Sequence, residues 1–169
     1  MAAYQNIVVL TGAGISAESG LKTFRDNDGL WEGHPVEQVA TPEAFAADSA
    51  LVQGFYNARR AQLCTGEVKP NQAHIALAEF EKRFSGAFTL ITQNVDNLHQ
   101  SAGSTNIFAM HGELVKARCL DCNAVMDCLQ NIDENSVCAS CNSFGSLRPH
   151  IVWFGEIPLF MEEIESAIA

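Results

Sequence analysis

Two Cys-x-x-Cys pairs, Cys119 with Cys122 and Cys138 with Cys141, stand fifteen residues apart in a chain of 169. Any fold of this chain must bring the two knuckles together, because four thiolates at this spacing form a tetrahedral zinc site. Redox or free thiols are the alternative reading, but a single redox Cys-x-x-Cys would not be duplicated at such a distance. A closed four-cysteine site has no position for a substrate. The metal is therefore expected to hold together a small module, residues 116–146, whose own core is too small to stand without it. The other two cysteines, Cys64 and Cys128, read as ordinary reduced thiols, since nothing directs export to an oxidising compartment.

With 47% apolar residues the chain can bury one core with a satellite module. Ten basic against twenty acidic residues leave a net charge of −10, which repels a nucleic-acid backbone and attracts basic peptides. Met1 to Asn6 carry no positive charge, and Ile7-Val8-Val9-Leu10 is too short for a signal core or a membrane span. These features predict a soluble, cytoplasmic protein with no membrane partner.

Asn6 to Thr11 is an apolar run ended by glycine, as expected of a buried parallel strand followed by a turn and a helix. Phe88 to Thr92 and Asn106 to Met110 read as further strands, and His150 to Phe154 as a possible fourth extended segment. Helical spacing marks Pro42 to Leu63 and Gln72 to Phe84, with Thr41 as a cap and Pro42 in the first turn. A last helix is expected over Phe160 to Ala169, with no strand after it. The expectation is an α/β fold: a Rossmann-like parallel sheet, incomplete at its C-terminal side, with a helical insert and a zinc-ribbon module. The Rossmann-like domain takes residues 1–33, 85–115 and 147–169, the insert 34–84, and the zinc module 116–146.

Four groups of residues carry candidate chemistry. Gly12-x-Gly14-x-x-Ala17 after a strand suits a pyrophosphate at a helix N-terminus, or is a plain strand-to-helix turn. Gln93, Asn94 and Asp96 follow a buried strand at the edge where open α/β sheets bind ligands, or cap the next helix. His111 leaves a third strand at that same edge, where it is a general base or a structural imidazole. Tyr56 and Arg59 share a helix face, either as surface residues or as a grip on a carboxylate. His99 reads as structural, and His34, His74 and His150 have no comparable setting.

Taken in order, Gly12-Ala13-Gly14-Ile15-Ser16-Ala17-Glu18-Ser19-Gly20-Leu21-Lys22-Thr23-Phe24-Arg25 through Gly29-Leu30-Trp31, then Thr92-Gln93-Asn94-Val95-Asp96-Asn97-Leu98-His99, Met110-His111-Gly112 and the cysteine pairs resemble the sirtuins, NAD-dependent protein-lysine deacylases. Leu21-Lys22 stands where many relatives have Ile-Pro or Ile-Arg. The resemblance implies that NAD is held by Gly12, Ala13, Gly14, Ile15 and Ala17 of the phosphate turn, by Phe24, Arg25 and Trp31, and by Gln93, Asn94, Val95 and Asp96. It implies His111 as the base that activates a ribose hydroxyl. Tyr56-x-x-Arg59 resembles the branch that removes succinyl, malonyl or glutaryl groups, whose bacterial-type members could also accept acetyl, and Val152, Phe154, Gly155 and Glu156 would border the acyl-lysine channel and pair with an acyl-lysine protein or peptide as an added strand.

The implied reaction consumes NAD and yields nicotinamide, 2′-O-acyl-ADP-ribose and free lysine, with one structural zinc ion beside it. A mono-ADP-ribosyltransferase and a non-catalytic zinc-bearing NAD- or acyl-peptide-binding fragment are the alternatives. The family's later Gly-Thr-Ser strand and Gly-x-Asn turn do not occur, so the resemblance implies NAD held only by its pyrophosphate and nicotinamide ends, with weak activity or aggregation. Oligomeric state is left open.

Overall fold

The computed structural model describes residues 4–21, 30, 31 and 33–169. Three strands form the parallel sheet, β1 (Asn6–Thr11), β4 (Ala87–Thr92) and β5 (Ile107–Ala109), in the order β1-β4-β5. Central β4 pairs along its length with β1, from Asn6 against Ala87 to Thr11 against Thr92, and with β5 from Leu90 against Ile107. A central parallel strand is buried on both faces, which accounts for the apolar Phe88, Leu90 and Ile91.

The segment after β1 departs from expectation. Ala13–Ser19 winds as a 3₁₀ helix, with Ile15 N–H donating to Gly12 O at 3.1 Å, and Gly20 ends it in the left-handed region at φ 89°. In a 3₁₀ turn, side chains three apart eclipse. The small pairs Ala13/Ser16 and Gly14/Ala17 tolerate that crowding.

β2 (Leu30–Trp31) and β3 (His34–Pro35) form a short antiparallel pair, and α1 (Val36–Val39) follows. The expected long helix from Pro42 is two helices, α2 (Pro42–Ala47) and α3 (Ser49–Cys64). Thr41 Oγ1 caps α2 by accepting from Ala44 N–H at 3.1 Å, and Asp48 interrupts the run because its carboxylate caps α3 through Leu51 N–H at 2.9 Å. α4 (Gln72–Arg83) begins at an Asn71–His74 capping box, and α5 (Leu98–Ala102) follows β4.

The fourth extended segment belongs to a different sheet. β6 (Gly112–Cys119) lies between β7 (Val125–Asp127) and β8 (Leu147–Ile151), antiparallel to both. Gly112 makes the reversal possible. At φ 82° it sits against His150 O, and a Cβ there would meet that oxygen at 2.0 Å. Two cores result. Val39, Val52, Phe55, Tyr56, Leu114, Ile151 and Trp153 form one under the helical insert, and Ala117, Cys119, Ile132, Cys138 and Leu147 form the other inside the cysteine module. α6 (Met161–Ile168) ends the chain. Among the described residues no helix is long and apolar enough to cross a membrane.

Candidate active site

A cavity of about 530 Å³ opens where β4, β5 and β6 meet the helical insert. Its wall brings together Ala13, Gln93, Asn94, Val95, Asp96 and His111 from the sheet edge, Tyr56 and Arg59 from α3, and Val152, Phe154, Gly155 and Glu156 from the segment after β8. Residues 98 positions apart in sequence thus face one space because the parallel strands end at the same edge. Gly12 stands just behind, where a Cβ would come within 3.2 Å of Gln93 Oε1, while Gly14, Ile15 and Ala17 do not line this cavity. Phe24 and Arg25 lie outside the described residues, and for Trp31 only its backbone in β2 is described.

Asp96 performs both tasks left open by its sequence position. Oδ1 accepts from Leu98 N–H at 3.1 Å and so caps α5, while Oδ2 accepts from Ser16 Oγ at 2.9 Å. Ser16 Oγ in turn accepts from Asn94 Nδ2 at 3.0 Å and lies 3.5 Å from His74 Nε2. Burial raises the Asp96 carboxyl above its ordinary pKa against the pull of these donors. His74 is held below its ordinary value by the same burial. Its ring packs edgewise on His99 at 4.8 Å. His99 Nε2 donates to Thr11 Oγ1 at 3.0 Å, because that hydroxyl spends its own proton on Ile91 O. Burial, and then the neighbouring His74, push His99 down to about 4. The cavity floor is therefore backed by a buried polar network with neutral imidazoles.

Ser16, His74 and Thr11 join the site only through the fold, with no local sequence pattern that marks them as site residues. His74 gave no signal because its partner Ser16 is 58 residues away. The capping pattern at Asn71 was the available clue, since the same imidazole closes the capping box through Nδ1.

His111 Nδ1 lies 2.9 Å from Gln93 O. A carbonyl only accepts, so Nδ1 carries the proton and a neutral ring keeps its lone pair on Nε2. The two pocket residues of α3 are more buried than an exposed surface pair would be. Tyr56 is fully buried, and its phenol oxygen accepts from Trp153 Nε1 at 2.9 Å; burial raises its pKa far above the ordinary value. Arg59 stacks 3.6 Å over the Phe55 ring and donates from Nη1 to Phe55 O at 2.8 Å.

The Val152–Glu156 segment is neither a core strand nor an open ladder edge. The amides of Val152, Trp153, Phe154 and Glu156 donate to His111 O, Glu156 Oε2, Ala40 O and Trp153 O. The chain turns at Gly155 with φ 88°. Those four amides are engaged within the chain and are not donors for an added peptide strand. The Glu156 carboxylate forms a bidentate pair with Arg148 at 2.8 and 2.9 Å, and Arg148 lies 3.5 Å over the Trp153 ring. Its pKa is lowered because the guanidinium and the Trp153 amide outweigh burial.

The four sulfurs of Cys119, Cys122, Cys138 and Cys141 lie within 4.8 Å of one another, with two pairs at 3.7 Å. Zinc–sulfur bonds of about 2.3 Å in a tetrahedron require sulfurs about 3.8 Å apart. The residues present fit a zinc ion with all four positions filled.

The Sir2 family model matches residues 12–169. An NAD-dependent protein deacylase of Pasteurella multocida is 57% identical over 163 residues, covering 96% of this chain and 70% of that protein. One of Vibrio parahaemolyticus is 56% identical over 165 residues, covering 98% and 68%. Among solved structures, a mutant Sir2 homologue in complex with ADP-ribose superposes at a TM-score of 0.82 with 41% identity over 95% of this chain and 65% of that one. A Sir2 homolog–NAD complex gives 0.76 with 44% identity over 89% and 58%. The chain thus spans about 70% of the length of the first of these relatives and less than two thirds of the solved chains. The Rossmann-like sheet, the four-cysteine cluster and these matches together place the chain in the Sir2 family.

Proposed function

We propose that this chain carries the catalytic centre of an NAD-dependent protein-lysine deacylase whose acyl pocket suits groups ending in a carboxylate, such as succinyl or malonyl. The observation that carries the reading is the shared cavity of His111, Asn94 and Asp96 with Tyr56 and Arg59. Its volume lies within the usual range of small-molecule sites, and the close approach of Gly12 to Gln93 leaves backbone where a phosphate turn needs it. When bound, NAD supplies the electrophilic ribose carbon and nicotinamide as leaving group.

The chain's own residues supply position and proton movement. Ser16 and the α5 amide fix Asp96, and Ser16 anchors the Asn94 amide, so both point along the floor without reorganising. His111 accepts a hydroxyl proton at Nε2 while Gln93 O holds the opposite nitrogen. Trp153 aligns the Tyr56 phenol as a donor, and Arg59 offers a delocalised cation. A carboxylate-bearing acyl group would add a charge-assisted partner for both, which a neutral acetyl group does not offer. Zinc has a structural role, its coordination being complete with four thiolates.

Matched succinyl-lysine and acetyl-lysine peptides, with and without NAD, are incubated with this chain and with Arg59→Met, and products are read by mass spectrometry. NAD-dependent desuccinylation that Arg59→Met loses selectively supports the reading. ADP-ribosylated protein without acyl-lysine dependence would replace it with a transferase, and binding without turnover would reduce it to a binding fragment.

A further inference from the structure

The two cysteines outside the zinc cluster both lie against the segment 129–130, at successive carbonyls. Arg60 is 1% exposed on α3, one helical turn before Cys64. Its Nε donates to Leu114 O at 2.8 Å, and Nη1 donates to Asn57 Oδ1 at 2.7 Å and to Gln130 O at 3.3 Å. Nη2 is buried and has no hydrogen-bond partner among the described residues. The chain leaving β7 passes directly over this group. Cys64 Sγ lies 3.9 Å from Leu129 O, and Cys128 Sγ lies 3.4 Å from Gln130 O. Cys64 is exposed and Cys128 half-buried. One sulfur is open to solvent and the second is half-buried, and the buried Arg60, whose Nη2 has no acceptor among the described residues, shares the Gln130 carbonyl with Cys128.

We propose that Cys64 and Cys128 are a redox-responsive thiol pair, oxidised by hydroperoxides to a disulfide that ties the end of α3 to the strand leaving β7. The Cys64 sulfur, as thiolate, attacks the terminal oxygen of a hydroperoxide; the O–O bond breaks, and the alkoxide takes up one thiol proton to leave as an alcohol. Cys64 is then a sulfenic acid. The Cys128 sulfur attacks the Cys64 sulfur, the S–S bond forms, and hydroxide leaves with the Cys128 proton as water. Two thiols and one hydroperoxide thus give one disulfide, one alcohol and one water. The two electrons that reduce the O–O bond come from the two sulfurs.

The test uses the zinc-loaded full chain and tert-butyl hydroperoxide, followed by alkylation, digestion and mass spectrometry alongside zinc release. The expected result is a peptide pair linked through Cys64 and Cys128, formed about tenfold faster than any zinc ligand is oxidised and reversed by dithiothreitol. Cys64→Ser should remove the link, with Cys128 staying alkylatable and zinc retained. Oxidation that begins at Cys119, Cys122, Cys138 or Cys141 with zinc release, while Cys64 and Cys128 stay reduced, would overturn the proposal. So would a Cys64 sulfenic acid that never links to Cys128 after the oxidant is removed. Cys128→Ser separates these cases, since under the proposal it alone should trap the Cys64 sulfenic acid for capture by dimedone.

Discussion

Asn57 clasps the backbone of Ile132 from both sides: its Nδ2 donates to Ile132 O at 2.9 Å and its Oδ1 accepts from Ile132 N–H at 2.9 Å. The same oxygen accepts from Arg60 Nη1. Replacing Asn57 by alanine removes three bonds and strands two peptide groups at a part-buried boundary. The expected loss is about 2–3 kcal/mol of unfolding free energy, read from urea denaturation. A midpoint equal to wild type would show that water replaces the clasp without cost.

Metal removal should be felt beyond the cysteine module. Gln53 donates to Leu147 O at 2.7 Å, and with Asn57 and Arg60 it forms a polar stripe along one side of α3 whose partners lie largely in the zinc-bearing region. Tyr56 and Arg59 occupy the neighbouring side. Chelating zinc is expected to speed amide hydrogen exchange in α3 as well as in residues 116–146, with β4 unchanged. Faster exchange confined to the module would show that α3 holds its place alone.

Acid should expose the buried imidazoles. His99 is held near 4, against an ordinary value of 6.5. Between those values the unfolded chain binds a proton that the folded chain refuses. Stability therefore falls as pH drops through this window, by about 1.4 kcal/mol per pH unit for one such group, and levels off below it. The variant His99→Gln keeps a donor for Thr11 and cannot titrate. Its stability should be the flatter of the two between pH 6.5 and 4.5, the comparison cancelling the zinc thiolates. Parallel curves for the two proteins would reject the assignment.

Gly112→Ala should be among the most damaging single-methyl additions available. The new carbon would lie 2.0 Å from His150 O on a backbone at φ 82°, beside His111. A loss of about 3 kcal/mol or more is expected by thermal or urea unfolding. An unchanged midpoint would mean that β6 and β8 separate easily at this end.

The parts of this molecule legible from sequence are those whose signal is local. The cysteine spacing foretold a cluster of four sulfurs, and the apolar runs at Asn6 and Phe88 foretold paired parallel strands. Thr41 announced its helix by a three-residue capping contact. Signals that depend on distant partners did not show. His150 to Phe154 has the composition of a buried strand, yet β8 pairs antiparallel with β6 because Gly112 reverses the chain 39 residues before Ile151 is reached in register. Asp48 reads as an ordinary helix residue until its carboxylate is seen capping Leu51 N–H. His74 needed Ser16 to acquire meaning, and Glu156 needed Arg148.

The stripe on α3 reads its neighbour almost wholly through peptide groups: Leu147 O, Ile132 N and O, Gln130 O and Leu114 O. Side-chain identity at 129–131 is therefore unconstrained by this contact, and substitutions there should accumulate freely over evolutionary time. Chain length is another matter. Inserting or deleting one residue between Cys122 and Gln130 would slide the Gln130 and Ile132 carbonyls past Arg60 and Asn57, so this stretch should drift in spelling while keeping its count.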